Sequence, residues 1–204
     1  MIGVIKTSSS NFRSLINALN YLSIKWIEVK KVKDFKKTTQ LILPGVGSFN
    51  SVMDALKKKK IISIIKKEII NKKKPFLGIC VGMQILCEYG HEDGKYEGLG
   101  LIKGECIRIH NTKKYKVPNI GWCELDICKN PLFKNIRNNS SFYFVHSFYL
   151  KVNKKIITSV LKERKKITAS ICQNNIYGVQ FHPEKSQTEG LEILSNFCNL
   201  KMNA

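Results

Sequence analysis

The sequence predicts an α/β protein: a mostly parallel, doubly wound sheet with helices on both faces and an antiparallel extension in its C-terminal half. Two observations carry this expectation. From the N-terminus to Tyr89, short apolar runs alternate with segments of helical periodicity, the signature of βαβ units. Beyond Tyr89, strand-like runs follow one another with only turns between them, until an amphipathic segment closes the chain.

Taken in order, IGVI (2–5) reads as a short buried strand. NFRSLINALNYL (11–22) places Phe12, Leu15, Ile16, Leu19 and Leu22 at the spacing of one helix face. IKWIEV (24–29) is strand-like, and LILPG (41–45) is a strand stopped by Pro44-Gly45. Ser48 to about Asn71 predicts one or two helices with lysines outward. PFLGI (75–79) is a strand and VGMQILCEY (81–89) a helix, followed by a polar loop, HEDGKYEG (91–98). GECIRIHN (104–111), SFYFVHSFYL (141–150), KIITSVL (155–161) and ITASICQ (167–173) are strand-like. NNIYGVQFHPEKS (174–186) opens with a turn and continues as a strand, and EGLEILSNFCNL (189–200) is the closing helix. No linker, repeat or low-complexity segment divides the chain, so residues 1–204 are expected to form a single domain.

Composition narrows the function classes. No apolar run approaches the roughly 20 residues that span a bilayer, and the apolar stretch at the N-terminus is too short for a signal peptide. A soluble cytoplasmic protein without a membrane partner is expected. The formal net charge of +20 invites a nucleic-acid reading. Against it, only four of the 35 basic residues are arginine: Arg13, Arg108, Arg137 and Arg164. Base and phosphate recognition relies on the guanidinium fork. The lysines fall in runs such as KKKK (57–60) and NKKK (71–74) that read as solvated, so no nucleic-acid partner is expected. The seven cysteines are odd in number and lack C-x-x-C or zinc-ligand spacing, which points to reduced thiols of which one or two are special.

One cysteine stands apart. Gly78-Ile79-Cys80-Val81-Gly82 lies between a predicted strand and a predicted helix, the setting of a nucleophile elbow. There the Val81 N–H can donate to an oxyanion, and a helix N-terminus favours a thiolate. Cys87, seven residues on, lacks that context and reads as structural. In YGVQFHPEKS, Pro183 restricts His182 to extended backbone, so His182 and Glu184 are expected to project to the same side. That supplies a base and its orienter to a nucleophile. LPGVGSF (43–49) adds a turn of Pro44, Gly45 and Gly47 at a strand end, which can present a backbone N–H to a developing negative charge.

These motifs, with GWCEL and FYFVHSF, resemble the class I (triad-type) glutamine amidotransferases over nearly the whole chain. Within that class they look like the glutaminase subunits of imidazole glycerol phosphate synthase. The resemblance implies a Cys80–His182–Glu184 triad that hydrolyses L-glutamine through a glutamyl thioester, with an oxyanion hole from Val46, Gly47 and Val81. It implies that Gln84, Glu92 and the His146–Ser147–Phe148 segment bind glutamine, and that no metal or organic cofactor takes part. It also implies a (β/α)8-barrel synthase partner that consumes the ammonia in a heterodimer, with Asn11, Trp122, Tyr143 and Lys185 at or near the interface.

Some positions depart from the family pattern. The first strand runs into Lys6-Thr7-Ser8-Ser9-Ser10-Asn11 where an acidic residue, tyrosine and glycine are usual. Asn119 replaces a usual histidine, and Cys123 follows Trp122 where asparagine is usual. The alternatives left open are a paralogous subunit feeding the amidation of a cell-surface sugar, a cysteine amidase or peptidase on the same elbow, and a non-catalytic binding protein. An α/β-hydrolase is disfavoured because its acid precedes its histidine, whereas Glu184 follows His182.

Overall fold

The computed structural model describes residues 1–7 and 11–200. Its centre is a nine-stranded sheet in the order β2-β1-β3-β4-β13-β12-β11-β8-β9. The parallel part comprises β1 (Ile2–Val4), β2 (Trp26–Glu28), β3 (Gln40–Gly45), β4 (Phe76–Cys80) and β13 (Ile176–Val179). The antiparallel extension comprises β12 (Arg164–Gln173), β11 (Ile157–Leu161), β8 (Asn119–Ile127) and β9 (Ser141–His146). The four parallel strands nearest the N-terminus are linked by α1 (Phe12–Tyr21), α2 (Val32–Phe35), and α3 (Phe49–Lys58) with α4 (Ile62–Ile70). The chain steps outward from β1 to β2, then back past β1 to β3 and β4. With right-handed crossovers, that reversal puts α1 on one face and α3 and α4 on the other. Parallel strands covered in this way are buried on both sides, which is why β3 and β4 have no exposed residue.

Three expectations need correction. The segment after Cys80 is helical only through α5 (Val81–Gln84). Beyond it, carbonyls of Ile85, Leu86, Cys87 and Glu88 accept from Leu99, Leu101, Gly100 and Gly98 instead of continuing a helix. The run 141–150 is not one strand. It breaks at Ser147, and β10 (Phe148–Val152) joins β7 (Gly104–Arg108), β5 (Tyr89–Gly90) and β6 (Tyr96–Glu97) in a separate four-stranded sheet that the sequence did not foretell. The third concerns the run 71–74, in which Lys74 is not solvated. It is buried, pairs with buried Glu68 at 2.5 Å, and donates to Phe35 O at 2.8 Å, tying the end of α4 to α2.

α6 (Gln187–Cys198) packs Ile193, Leu194 and Phe197 inward, as its spacing predicts. Among the described residues, no helix is long and apolar enough to cross a membrane.

Candidate active site

The candidate nucleophile sits where β4 turns into α5. Cys80 has φ +53° and ψ −113°, a conformation that L-residues avoid. The turn forces its neighbours to be small. A Cβ on Gly82 would lie 2.0 Å from Leu43 O, and one on Gly78 would lie 2.4 Å from Gly82 O. The G-x-C-x-G spacing therefore reports close approach of this turn to β3 and to itself. Because α5 has only four residues, its dipole adds little, and the Val81 N–H is what remains of the expected helix-terminus effect.

His182 and Glu184 come from the end of β13, the parallel neighbour of β4, with Ile79 paired to Val179. The extended run expected through 186 ends at Val179, and Pro183–Lys185 form a 3₁₀ turn. The two side chains still meet: His182 Nδ1 lies 2.8 Å from Glu184 Oε1. Extended geometry is therefore not what pairs them. The turn is held by β9, with the His182 N–H donating to Tyr143 O at 2.9 Å. Ser186 Oγ, which the sequence reading did not single out, donates to His182 O at 2.7 Å and accepts from the Tyr143 N–H at 3.0 Å. A cluster of Phe133, Phe142, Phe144 and Phe181 packs beneath this turn, with the rings of Phe142 and Phe181 4.2 Å apart. Burial alone would lower the pKa of His182. Hydrogen bonding to Cys80 and to Glu184, with their negative charge, outweighs burial and raises it to about 10. Such an imidazole is protonated at neutral pH. By contrast, burial pushes the thiols of Cys87 and Cys198 up to about 12 and that of Cys106 well above its ordinary value, which leaves them inert.

A cavity of about 300 Å³ opens beside Cys80 and His182. Val46, Gly47 and Val81 line it, as do Gln84, Glu92, His146, Ser147 and Phe148. Gly47 has φ +101°, a turn conformation suited to glycine. Glu92 also accepts the Phe49 N–H at 2.8 Å, capping α3. His146 is pushed down to about 4, mainly by burial, and is neutral; its Nδ1 donates to Phe148 O at 2.9 Å. Asn119 Nδ2 lies 3.0 Å from the other ring nitrogen, so the departure at 119 bears on the cavity wall.

Gln180, two residues before His182, has a fully buried side chain, which is unusual for glutamine and leaves no mark in the sequence. Its Nε2 lies 3.6 Å from Cys80 Sγ, and its Oε1 accepts from Gln84 Nε2 at 3.0 Å.

The residues assigned to a partner face separate. Trp122 is 48% exposed, Lys185 is exposed at the cavity rim, and Tyr143 is half-buried against Trp122. Asn11 is not on the surface. It is 3% exposed, its Nδ2 donates to Glu184 Oε1, and it lies 3.0 Å from His182 Nδ1. The helix periodicity that starts at Phe12 makes Asn11 the cap of α1, and α1 brings it back against the 3₁₀ turn. The departures at Ser8, Ser9 and Ser10 lie outside the described residues.

A cysteine elbow, a His-Glu pair on the adjacent strand end and a glycine turn on the other neighbour form the arrangement expected of a triad-type amidotransferase on an α/β sheet. The sequence profile of the family described as Glutamine amidotransferase class-I matches residues 4–200, and the chain belongs to that family. The particular relatives narrow it further. Imidazole glycerol phosphate synthase subunit HisH 1 of Campylobacter jejuni (strain 81-176) is 42% identical over 98% of this chain and 100% of its own length. Subunit HisH 2 of Methanococcus maripaludis is 39% identical, covering 97% and 98% of the two chains. Subunit HisH of Pelagibacter ubique is 36% identical, covering 98% and 99%. Among solved structures, one described as a glutamine amidotransferase superposes with a TM-score of 0.75 at 18% identity, covering 96% of each chain. PurLQS from Thermotoga maritima gives 0.71 at 18% identity, covering 97% of each chain. These two likenesses concern the fold.

Proposed function

We propose that the chain is the glutaminase subunit of an imidazole glycerol phosphate synthase. It hydrolyses L-glutamine to glutamate and ammonia and delivers the ammonia to a (β/α)8-barrel subunit, which makes imidazole glycerol phosphate and AICAR in histidine biosynthesis. The observation that carries this reading is the meeting of Cys80, His182 and Glu184 beside a cavity lined by Gln84, in a chain matched end to end by relatives of that name.

The chemistry follows from the charges. The Cys80 thiolate attacks the side-chain carboxamide carbon of glutamine, and the carbonyl oxygen becomes an oxyanion. The N–H groups of the Val46-Gly47 turn and of Val81 receive that oxyanion. Protonated His182 gives its proton to the departing nitrogen, and ammonia leaves as the thioester forms. Neutral His182 then takes a proton from water, which attacks the thioester, and glutamate is released as the thiolate is restored. Glu184 keeps the Nδ1 side of the imidazole occupied, so the other nitrogen serves the reaction.

Free ammonia is protonated in bulk water, so the product is useful only when passed directly to an acceptor. The outer face of β8 and β9 supports a docked partner. Ile120 pairs across the strands with Val145 and Trp122 with Tyr143, and Ile120, Trp122 and Val145 are 61%, 48% and 38% exposed. Val145 also lines the cavity. The test is ammonia release from glutamine with and without a barrel synthase subunit. The expected result is a low rate alone, at least about tenfold stimulation by the barrel, and no release from Cys80→Ala. Undiminished release from Cys80→Ala, or equal cleavage of peptides lacking glutamine, overturns the reading.

A further inference from the structure

We infer that Gln180 is a further activating residue, whose side-chain N–H donates to the Cys80 sulfur. The inference rests on Cys80 being the nucleophile. It follows from a chain of hydrogen bonds in which each amide can point only one way. The backbone carbonyl of Phe148 can only accept, so the Gln84 atom 2.9 Å from it is the Nε2 amine. That amine also donates 3.0 Å away to Gln180, so the Gln180 atom facing it is the Oε1 oxygen. The remaining end of the Gln180 carboxamide, Nε2, therefore faces Cys80 Sγ at 3.6 Å. Gln180 is fully buried, so water does not compete for either end.

The sulfur has a second polar neighbour, Val145 O, at 3.9 Å. The two neighbours favour opposite states. A thiol can donate to the Val145 carbonyl, whereas a thiolate is repelled by it and attracted by the Gln180 N–H. Gln180 thus tips the sulfur toward the nucleophilic form, alongside His182. It also links the sulfur to the cavity wall, because Gln84 and Phe148 both line the cavity. A ligand that displaced Gln84 would release the Gln180 carboxamide from its fixed orientation.

The experiment is alkylation by iodoacetamide, followed cysteine by cysteine by peptide mass spectrometry at a series of pH values from 4 to 10. It compares the wild-type chain with Gln180→Met and Gln84→Met. Methionine keeps the length of the side chain and removes the donor. Dividing the Cys80 rate on the acid side of the wild-type midpoint by the plateau rate of the same chain cancels differences in access. Gln180→Met is expected to lower this ratio about 3- to 10-fold, the scale of one ordinary hydrogen bond. Gln84→Met is expected to lower it in the same direction by less. A purely structural role for Gln180 would lower the melting temperature and leave the ratio unchanged, and an unchanged ratio in folded Gln180→Met overturns the inference. If Gln180→Met does not fold, an unchanged ratio in Gln84→Met overturns it. A wild-type Cys80 that reacts no faster at pH 7 than the other cysteines overturns the nucleophile reading, and this inference with it. Fast wild-type Cys80 with unchanged variants removes the role of Gln180 alone.

Discussion

Cys80 occupies backbone that a side chain resists, and the fold holds it there through β4 and the close packing of Gly82 on β3. Strain of this kind costs on the order of 1 kcal/mol or more, and glycine escapes it. Cys80→Gly is therefore expected to be more stable than Cys80→Ala by about 1 kcal/mol in urea unfolding, although both lack the thiol; equal stability would mean that the turn carries no strain. His146 gives a second prediction. Its pKa falls from 6.5 in the ordinary imidazole to about 4 in the fold, chiefly through burial. The unfolded chain therefore binds the extra proton between these values. Stability from this group is complete above about pH 6.5 and is lost as pH falls toward 4, by on the order of 3 kcal/mol. His146→Gln should flatten that part of the stability profile. His182 runs the other way. Its raised pKa gives stability that is complete below about pH 6.5 and is lost as pH rises toward about 10. At this scale the candidate site residues were legible because their types and neighbours are unusual: cysteine between glycines, histidine before proline. Gln180 was not, because a glutamine inside an apolar run has no spacing signature, and only burial and bonding distinguish it.

At the scale of elements, periodicity read the parallel strands and the longer helices well, since each buries a continuous apolar face. It failed where tertiary pairing overrides local pattern. VGMQILCEY has helical spacing, yet the carbonyls after Gln84 are taken by Gly98–Leu101. SFYFVHSFYL is evenly apolar, yet it changes sheets at Ser147, the residue beside the cavity. β8 went unread because Gly121, at φ +128°, interrupts its interior and neither face is uniformly apolar. The NKKK run misled because charge alone does not report burial. Lys74 holds α4 to α2 through Glu68 and Phe35 O. Lys74→Met should destabilise the fold by about 3 kcal/mol, since it leaves a buried carboxylate short of a partner, while Lys72→Met, whose side chain is half exposed, should cost under about 1 kcal/mol.

For the whole molecule, the arrangement explains why the candidate reactive groups lie so far apart in sequence. Cys80 and His182 end neighbouring parallel strands, and the entire antiparallel extension is inserted between them. That extension contributes one wall of the cavity and the exposed Ile120–Val145 and Trp122–Tyr143 ladder. If the ladder seats the synthase subunit, Trp122→Ala should weaken barrel binding by roughly 1–3 kcal/mol in calorimetry, the range for an aromatic anchor, and leave the melting temperature of the free chain within about 2 °C. Equal affinity would place the partner elsewhere. The central claim is covalent catalysis by Cys80, and the most direct test traps the intermediate. The chain, with its barrel partner, is mixed with glutamine, quenched in acid within the steady state, digested and weighed. A γ-glutamyl group on the peptide carrying Cys80, lost in Cys80→Ser, is the predicted result. Glutamine turnover with that peptide unmodified, or with the adduct on another cysteine, would contradict it.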